Sequence, residues 1–381
     1  MALADSQKIS RVLKGKPFGD GSGGNATVSA HPTYGRAAGA SGQKIVTSDV
    51  TAFADDDVVL IHQTRGVGAG NYEINRVASG GGTTSLTMQE NLANAYTTCG
   101  QLIKVVLYDE LTINAFTVTA WNGLKGGLVV FAGKTSITTG GALNGSGSNG
   151  TAGVTATGAS GGGFRGGNSK GNAARPTGTQ GESYGGAGGS SYSANGGGGG
   201  AGSAQTANGS DDGGGAGYAG VGTKGTEAGV YGGLGGGTYG TAALTTIHLG
   251  SGGGGAARSN DEGNKECGSG GSGGGLVVLI SKDITLTSGV TVNGGNGGDS
   301  GGWNGGGGSG GSILLQCATS TLGTAKATAT GGTGTTASVG RIAVHHSGTV
   351  TGTTSPTFSD TTDDTLVEST SGGAFLLSQF V

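Results

Sequence analysis

The strongest constraint on the fold is a segment that occurs twice. Gly126–Gly150 reads GGLVVFAGKTSITTGGALNGSGSNG and Gly274–Gly298 reads GGLVVLISKDITLTSGVTVNGGNGG, and the two align without a gap. Looser copies begin at Gly310 and Gly340, so the last three copies follow one another closely along the chain. Because one such unit cannot bury its own apolar face, neighbouring copies are expected to lie together.

This repetition predicts an all-β protein in which the copies form the stacked layers of a β-solenoid. The first ~120 residues have near-normal composition and contain short strand-like runs, which predict a small N-terminal β domain, either a barrel or a sandwich. The predicted divisions are residues 1–122 as an N-terminal β domain for attachment or assembly, 123–150 as the first β module, 151–273 as a glycine-rich insert, 274–350 as the stacked β modules and 351–381 as a C-terminal extension.

The insert has an extreme composition, since glycine supplies about two of every five positions from Gly196 to Gly275. Two structures compete for it: a flexible linker, and packed polyglycine II, in which extended strands with three residues per turn lie backbone to backbone. Closely matched copies flank the insert, and it contains the apolar interlude Ala242–Leu249, which a linker would not need. We therefore expect an ordered polyglycine II-like insert, although ordering glycine costs more entropy than ordering any other residue.

Charge and targeting signals exclude several classes of partner. The net charge is −3 and only 11% of the residues are charged, which gives no electrostatic signature of nucleic-acid or membrane-surface binding. No run approaches the ~18 apolar residues of a membrane-spanning helix. Met1–Pro17 lacks an apolar stretch, so we expect no signal peptide. The odd number of cysteines, three, predicts free thiols and no disulfide framework.

Motifs for catalysis or cofactor binding are weak. Gly145–Gly150 (GSGSNG) matches GxGxxG, but no helix or acidic residue follows in the context that a dinucleotide site needs. Gly294–Asp299 (GGNGGD) resembles the start of a calcium-binding repeat without the tandem copies. The five histidines lack zinc-site spacing. The sequence therefore predicts no enzyme, no catalytic residue, no metal and no cofactor.

Isolated aromatic residues in the glycine-rich regions are the best candidates for contacts with a receptor, because tyrosine and tryptophan dominate binding hot spots. Trp303 has two interpretations, a plug that covers the glycine bundle or an exposed stacking platform. The candidate receptor contacts are Tyr184, Tyr192, Tyr218, Tyr231, Tyr239 and Trp303.

These features resemble those of a known group of proteins. The order FGDGSGG (Phe18–Gly24), then D-x-V-L-I-x-Q and G-x-Y-E-x-N-x-V (within Asp57–Val77), then the repeated modules around a glycine-rich insert, resembles glycine-rich tail-fibre or adhesin proteins of tailed bacteriophages. The glycine blocks are also similar to those of the receptor-recognising tip adhesins of T-even-like phages, in which a polyglycine II sandwich presents variable loops. Here, in contrast to those adhesins, β modules bracket the glycine block.

The resemblance implies a non-enzymatic structural or adhesive protein of the virion surface: a tail fibre, a tail tip or a decoration protein that serves host attachment. It implies other virion structural proteins and a host receptor, either protein or glycan, as partners, and a homo-oligomeric state without nucleic-acid binding or membrane insertion. A bacterial extracellular fibre or matrix subunit is the alternative. A carbohydrate-cleaving β-helix is the third interpretation, and it requires a carboxylate pair in a groove.

Overall fold

The structure of the chain, a computed structural model, describes residues 17–173, 177–186, 196–201, 210–226, 232–259 and 266–367. The regular elements within these ranges are β-strands, and none of the ranges contains a helix.

The strands are numbered in chain order. The first eleven are β1 (Ala26–Val28), β2 (Tyr34–Gly39), β3 (Ile45–Ser48), β4 (Val58–Gln63), β5 (Tyr72–Ser79), β6 (Ser85–Met88), β7 (Tyr96–Lys104), β8 (Leu107–Ile113), β9 (Phe116–Thr117), β10 (Leu128–Thr139) and β11 (Leu143–Asn144). The others are β12 (Ala152–Gly153), β13 (Lys170–Ala173), β14 (Ser210–Asp211), β15 (Ala257–Ser259), β16 (Cys267–Gly268), β17 (Leu276–Thr285), β18 (Val290–Thr291), β19 (Ser312–Thr328), β20 (Arg341–His346), β21 (Val350–Ser355) and β22 (Ser359–Thr362).

Strands β2 to β7 form a closed antiparallel barrel in the order β2-β3-β6-β5-β4-β7. Val59 and Ile61 of β4 belong to the core of the barrel, together with Leu86. Val58 and Leu60 of the same strand belong to a second core, which the barrel shares with the rest of the chain. Because β4 is buried on both faces, its first four residues are all apolar, and its last two, His62 and Gln63, are buried polar residues.

The first strands of the four module copies pair side by side in one parallel sheet. β10 pairs with β17 from Leu128 and Leu276 onward, β17 pairs with β19 from Ser312, and β19 pairs with β20 from Arg341. On the other side of β10 lies β8, which pairs with β1. Parallel strands with both faces covered read as continuous apolar runs, which accounts for LVVF, LVVLI, ILL and IAV in these strands.

The parallel sheet folds back on itself through β19. The first part of this strand pairs with β17, and its last residues pair with β18, which is followed in the sheet by β11 and β9. The fold encloses a core that includes Val129, Phe131, Leu143, Val290 and Leu322. The opposite face of the sheet contributes its side chains to the core shared with the barrel and the insert.

The predicted stacked β-solenoid is wrong. The module copies are neighbours, and those at Leu128 and Leu276 pair in register although the whole insert separates them along the chain. They are joined edge to edge in one folded sheet, however, and do not form successive coils. The physical reason is that the first strand of each copy is apolar on both faces. One face is covered by the second strands of the copies, and the other by the barrel and the insert.

Glycine runs between β11 and β17 form a bundle of extended strands. The N–H groups of residues 252–255 donate in turn to the carbonyl oxygens of Glu182, Gly271, Gly214 and Thr179. Glu182 and Thr179 lie three residues apart on the same neighbouring strand. The central strand therefore bonds to three neighbours in rotation with a period of three residues, which is the period of polyglycine II. Order of the kind expected for the insert is present in the parts of it that the structure describes.

Candidate functional site

The glycine bundle has two ends with different surroundings. Its central strand runs from His248, beside the barrel and the sheet, to Arg258, ten residues farther on. At about 3.1 Å per residue in an extended three-fold strand, these residues lie about 31 Å apart. The end at His248 is called the junction end below, and the end at Arg258 is called the outer end.

Three tyrosines and a histidine form an aromatic cluster at the junction end. The rings of Tyr218 and Tyr239 are stacked with their centroids 4.4 Å apart, and the ring of Tyr184 lies 4.6 Å from that of Tyr239. His248 meets the ring of Tyr239 edge-on at 5.2 Å. Aromatic side chains fill the space here because the glycine strands themselves contribute no bulk.

Hydrogen bonds fix the cluster to the sheet. The hydroxyl of Tyr218 donates to Ser312 Oγ at 2.6 Å, and Ser312 Oγ donates to the carbonyl oxygen of His248 at 2.6 Å. The hydroxyl of Tyr239 donates to the carbonyl oxygen of Leu249 at 2.8 Å. Burial raises the pKa of Tyr218 to about 12 and raises the pKa of Tyr239 further. Both tyrosines are therefore neutral hydrogen-bond donors that serve packing.

This placement changes the interpretation of the tyrosines proposed as receptor contacts. Tyr218 is fully buried and Tyr239 is 8% exposed, so neither ring is available to a receptor in this structure. Tyr184 is partly buried and packs on the aromatic cluster. Tyr192 and Tyr231 lie outside the described residues. Three of the candidates, Tyr184, Tyr218 and Tyr239, do lie together in space, but they form part of the interior at the junction end.

A buried carboxylate, which the sequence analysis did not single out, also holds the insert to the barrel. Glu182 is 3% exposed, and it forms ion pairs with Arg65 and with Arg165, whose Nε lies 3.0 Å from Glu182 Oε2. The indole N–H of Trp121 donates to the same oxygen at 3.1 Å. The sequence contains one indication of this role: Glu182 is an acidic residue isolated among glycines, and such a residue needs a partner when the glycines pack around it.

Trp303, the remaining candidate, lies at the outer end. Its ring is partly exposed, and the guanidinium of Arg258 lies over it at 3.7 Å from the ring centroid. The next residue, Asn304, donates its N–H to Asp212 Oδ1 at 2.7 Å, and burial raises the pKa of that carboxyl. Trp303 thus covers a buried cation, Arg258, and is itself partly exposed.

Strand pairing at the outer end brings several chain crossings together. Ala173 of β13 is paired with Ser259 of β15, and Ser210 of β14 is paired with Arg258 of β15. Each of the first three residues directly precedes or follows a segment that lies outside the described residues. The described flanks of these three segments therefore lie beside Arg258, whose guanidinium lies over the ring of Trp303.

A further crossing joins the same end. The N–H of Asp212 donates to the carbonyl oxygen of Thr226, and the N–H of Gly233 donates to the carbonyl oxygen of Asp212. Together these bonds gather the described flanks of four connections at the outer end: 174–176, 202–209, 227–231 and 260–265.

The outer end offers an aromatic ring, a carboxyl and amide groups on a hydrogen-bonded platform, which suits binding by stacking and hydrogen bonding. In the part of the chain that the structure describes, no group of three or more histidine, cysteine or carboxylate side chains is placed to hold a metal ion. Over those same residues, no helix is long and apolar enough to cross a membrane.

Comparison with protein-family models, with curated proteins and with solved structures finds no match to this chain.

Proposed function

We propose that this chain is a non-enzymatic surface protein of a bacteriophage particle, in a tail fibre, a tail tip or a decoration, and that it serves attachment to the host. The observation that carries the proposal is that the described flanks of four chain connections meet at the outer end of the glycine bundle, beside the partly exposed Trp303. A platform of this kind can tolerate changes in its connections while its lattice stays fixed, which suits a recognition surface.

The separation of the barrel from the outer end supports two different roles for them, attachment to the particle and contact with the host. The barrel meets the bundle at the junction end, where the N–H of Gly66 donates to the carbonyl oxygen of Tyr184. Arg258 at the outer end lies about 31 Å along the central strand from His248 at the junction end. In the proposal, the barrel side attaches to other structural proteins of the particle, and the outer end meets a protein or glycan of the host surface. The chain acts as a homo-oligomer in this proposal.

The proposal is tested by electron microscopy of purified particles labelled with antibody raised against this chain. We expect label at a fixed place on the particle surface and inhibition of adsorption by the purified chain. A Trp303→Ala variant that keeps its thermal midpoint should inhibit adsorption less than a variant with the matched change Gly302→Ala. Particles without label would contradict the proposal.

One observation favours a second candidate, a bacterial extracellular fibre or matrix subunit. Among the described strands, β1 pairs only with β8 and β22 pairs only with β20, so the row β1-β8-β10-β17-β19-β20-β22 of the parallel sheet has a short edge strand at each end. Pairing of one edge with the opposite edge of another copy would be head-to-tail, and such contacts build open filaments. Label on fibres outside the cell, with none on particles, would favour this candidate.

A further inference from the structure

Residues 239–249, called the junction segment, are held between the barrel and the parallel sheet. From the barrel, the carbonyl oxygen of Gly70 accepts a hydrogen bond from the N–H of Ile247 at 3.0 Å. From the sheet, Ser312 Oγ donates to the carbonyl oxygen of His248 at 2.6 Å. The barrel and the parallel sheet therefore both form hydrogen bonds with the junction segment of the insert.

Two basic side chains of β20, which belongs to the parallel sheet, contact backbone carbonyl groups of the junction segment. Arg341 donates from a guanidinium nitrogen to the carbonyl oxygen of Tyr239 at 2.9 Å, and His345 Nε2 lies 2.8 Å from the carbonyl oxygen of Ala243. The guanidinium also lies 5.3 Å from the ring centroid of Tyr218. A positive charge thus already stands against the aromatic cluster.

On the barrel side, a neutral histidine, His62, forms a hydrogen bond with the junction segment. His62 is fully buried, and its Nε2 lies 2.8 Å from the carbonyl oxygen of Ile247, so Nε2 carries the proton. Gln101 Nε2 donates to Thr64 Oγ1 at 2.7 Å, and Thr64 Oγ1 lies 2.9 Å from His62 Nδ1. The hydroxyl of Thr64 donates to Nδ1, which fixes the neutral form. A second proton on Nδ1 would remove the acceptor of that hydroxyl.

His248 is the second neutral histidine of the junction. It is 4% exposed, its ring is enclosed by the aromatic cluster, and a Cβ atom added to Gly70 would lie 2.3 Å from the ring. His248 Nε2 lies 3.1 Å from Thr246 Oγ1, and Nδ1 has no hydrogen-bond partner among the described residues. A charged imidazolium here would carry an N–H without an acceptor.

The neighbours of the two histidines do not favour a positive charge. Burial, and after it the charges of His62 and Arg341, lower the pKa of His248, and Tyr218 and Tyr239 are neutral. The strands beside His62 place Tyr72 and Gln101 opposite it. The carboxylate of the junction end, Glu182, is already paired with two arginines.

We infer that the junction segment is an acid-released latch, in which protonation of His62 and His248 detaches residues 239–249 from the barrel. This inference does not depend on the proposed function. It rests on two imidazoles that are enclosed as neutral groups at the interface, with the basic groups Arg341 and His345 already present beside the segment.

The pH window follows from the direction of the shifts. Burial lowers the pKa of His62 to about 4 and that of His248 to about 3, both below the ordinary value of 6.5. The detached state therefore binds more protons than the closed state, and the latch is fully closed only above pH ~6.5. Between pH 7 and pH 5 each histidine should increase the detached population about 20-fold, or several hundred-fold for the two together.

Hydrogen exchange of the full chain at pH 7 and pH 5, corrected for intrinsic rates, tests the latch. We expect the protection of residues 239–249 to fall at least 100-fold at pH 5, while the paired strands β10 and β17 keep theirs. The double variant His62→Gln/His248→Gln should lose this pH dependence, whereas His346→Gln, outside the junction, should retain it.

Unchanged protection of the junction segment at pH 5 in the unsubstituted chain would overturn the inference, and so would an equal loss of protection throughout the chain. A double variant that folds and still loses protection on acidification would also overturn it. If the double variant does not fold, the comparison of the junction segment with β10 and β17 in the unsubstituted chain decides.

Discussion

A Cβ atom added to Gly198 would lie 1.9 Å from the carbonyl oxygen of Gly214. A Cβ atom on Gly214 would in turn lie 2.0 Å from the carbonyl oxygen of Leu234. Backbone atoms cannot move aside as the end of a flexible side chain can. Glycine is therefore required at these positions because the neighbouring strands lie too close for a Cβ atom. The requirement does not come from a left-handed backbone conformation.

The first prediction concerns this spacing. Gly198→Val and Gly214→Val should each lower the free energy of unfolding by several kcal/mol, roughly 3 or more, because each forces neighbouring strands apart. Gly302→Ala is the control, because a Cβ atom there meets nothing within 4 Å. Denaturant unfolding measures all three variants. Valine variants as stable as the control would show that the strands are not packed backbone to backbone.

A second prediction concerns the buried carboxylate of the junction end. Glu182→Gln should lower the free energy of unfolding by about 2–3 kcal/mol, because it leaves Arg65 and Arg165 without their anion. This figure is below that for a fully buried pair, since the Arg165 side chain is 43% exposed. The matched change Asp56→Asn, at an ion pair whose acid is 84% exposed, should cost about 0.5 kcal/mol or less. Equal effects in the two variants would contradict the assignment of Glu182 as an anchor.

Thiol reactivity gives a third prediction. Cys99, Cys267 and Cys317 are free and buried, and burial raises the pKa of Cys267 and of Cys317 to about 11. At pH 8 both thiols should be protonated in the folded chain, so an aromatic disulfide reagent should react with them only as the chain unfolds. The check is the rate of thiol release with and without denaturant. Immediate release of two or more equivalents from the folded chain would contradict the prediction, because Cys99 can supply only one of them.

The repeated module predicted strand neighbours well because gap-free copies carry the register with them. The first two copies begin at Gly126 and Gly274, and the same offset pairs Leu128 with Leu276 and continues to Gly133 and Ser281, after which a bulge shifts the pairing by one residue. For the last two copies the match is less close, because Ser312 and Arg341, which pair, are one position nearer in sequence than Gly310 and Gly340. The double glycine at 310–311 left this register ambiguous, and the apolar pattern that resolves it is short.

Other features could not be predicted because their partners are distant in sequence. His62 bonds to Ile247, 185 residues away, and no local pattern around either residue predicts that contact. For the same reason the inward position of Tyr218 and Tyr239 was not predicted, since an aromatic residue among glycines can equally seal a bundle or face the solvent. The folding of the sheet around its own second strands likewise depends on which parts of the chain cover each apolar face.

The glycine bundle is a hydrogen-bonded lattice that holds its outer end in place, and the proposed function depends on this property. Amide hydrogen exchange across residues 196–201, 210–226 and 250–256 tests this claim most directly. We expect strong protection at the amides that donate within the lattice, such as those of Gly198, Gly214 and Gly254. Exchange of these amides at the rate of an unstructured chain would contradict it.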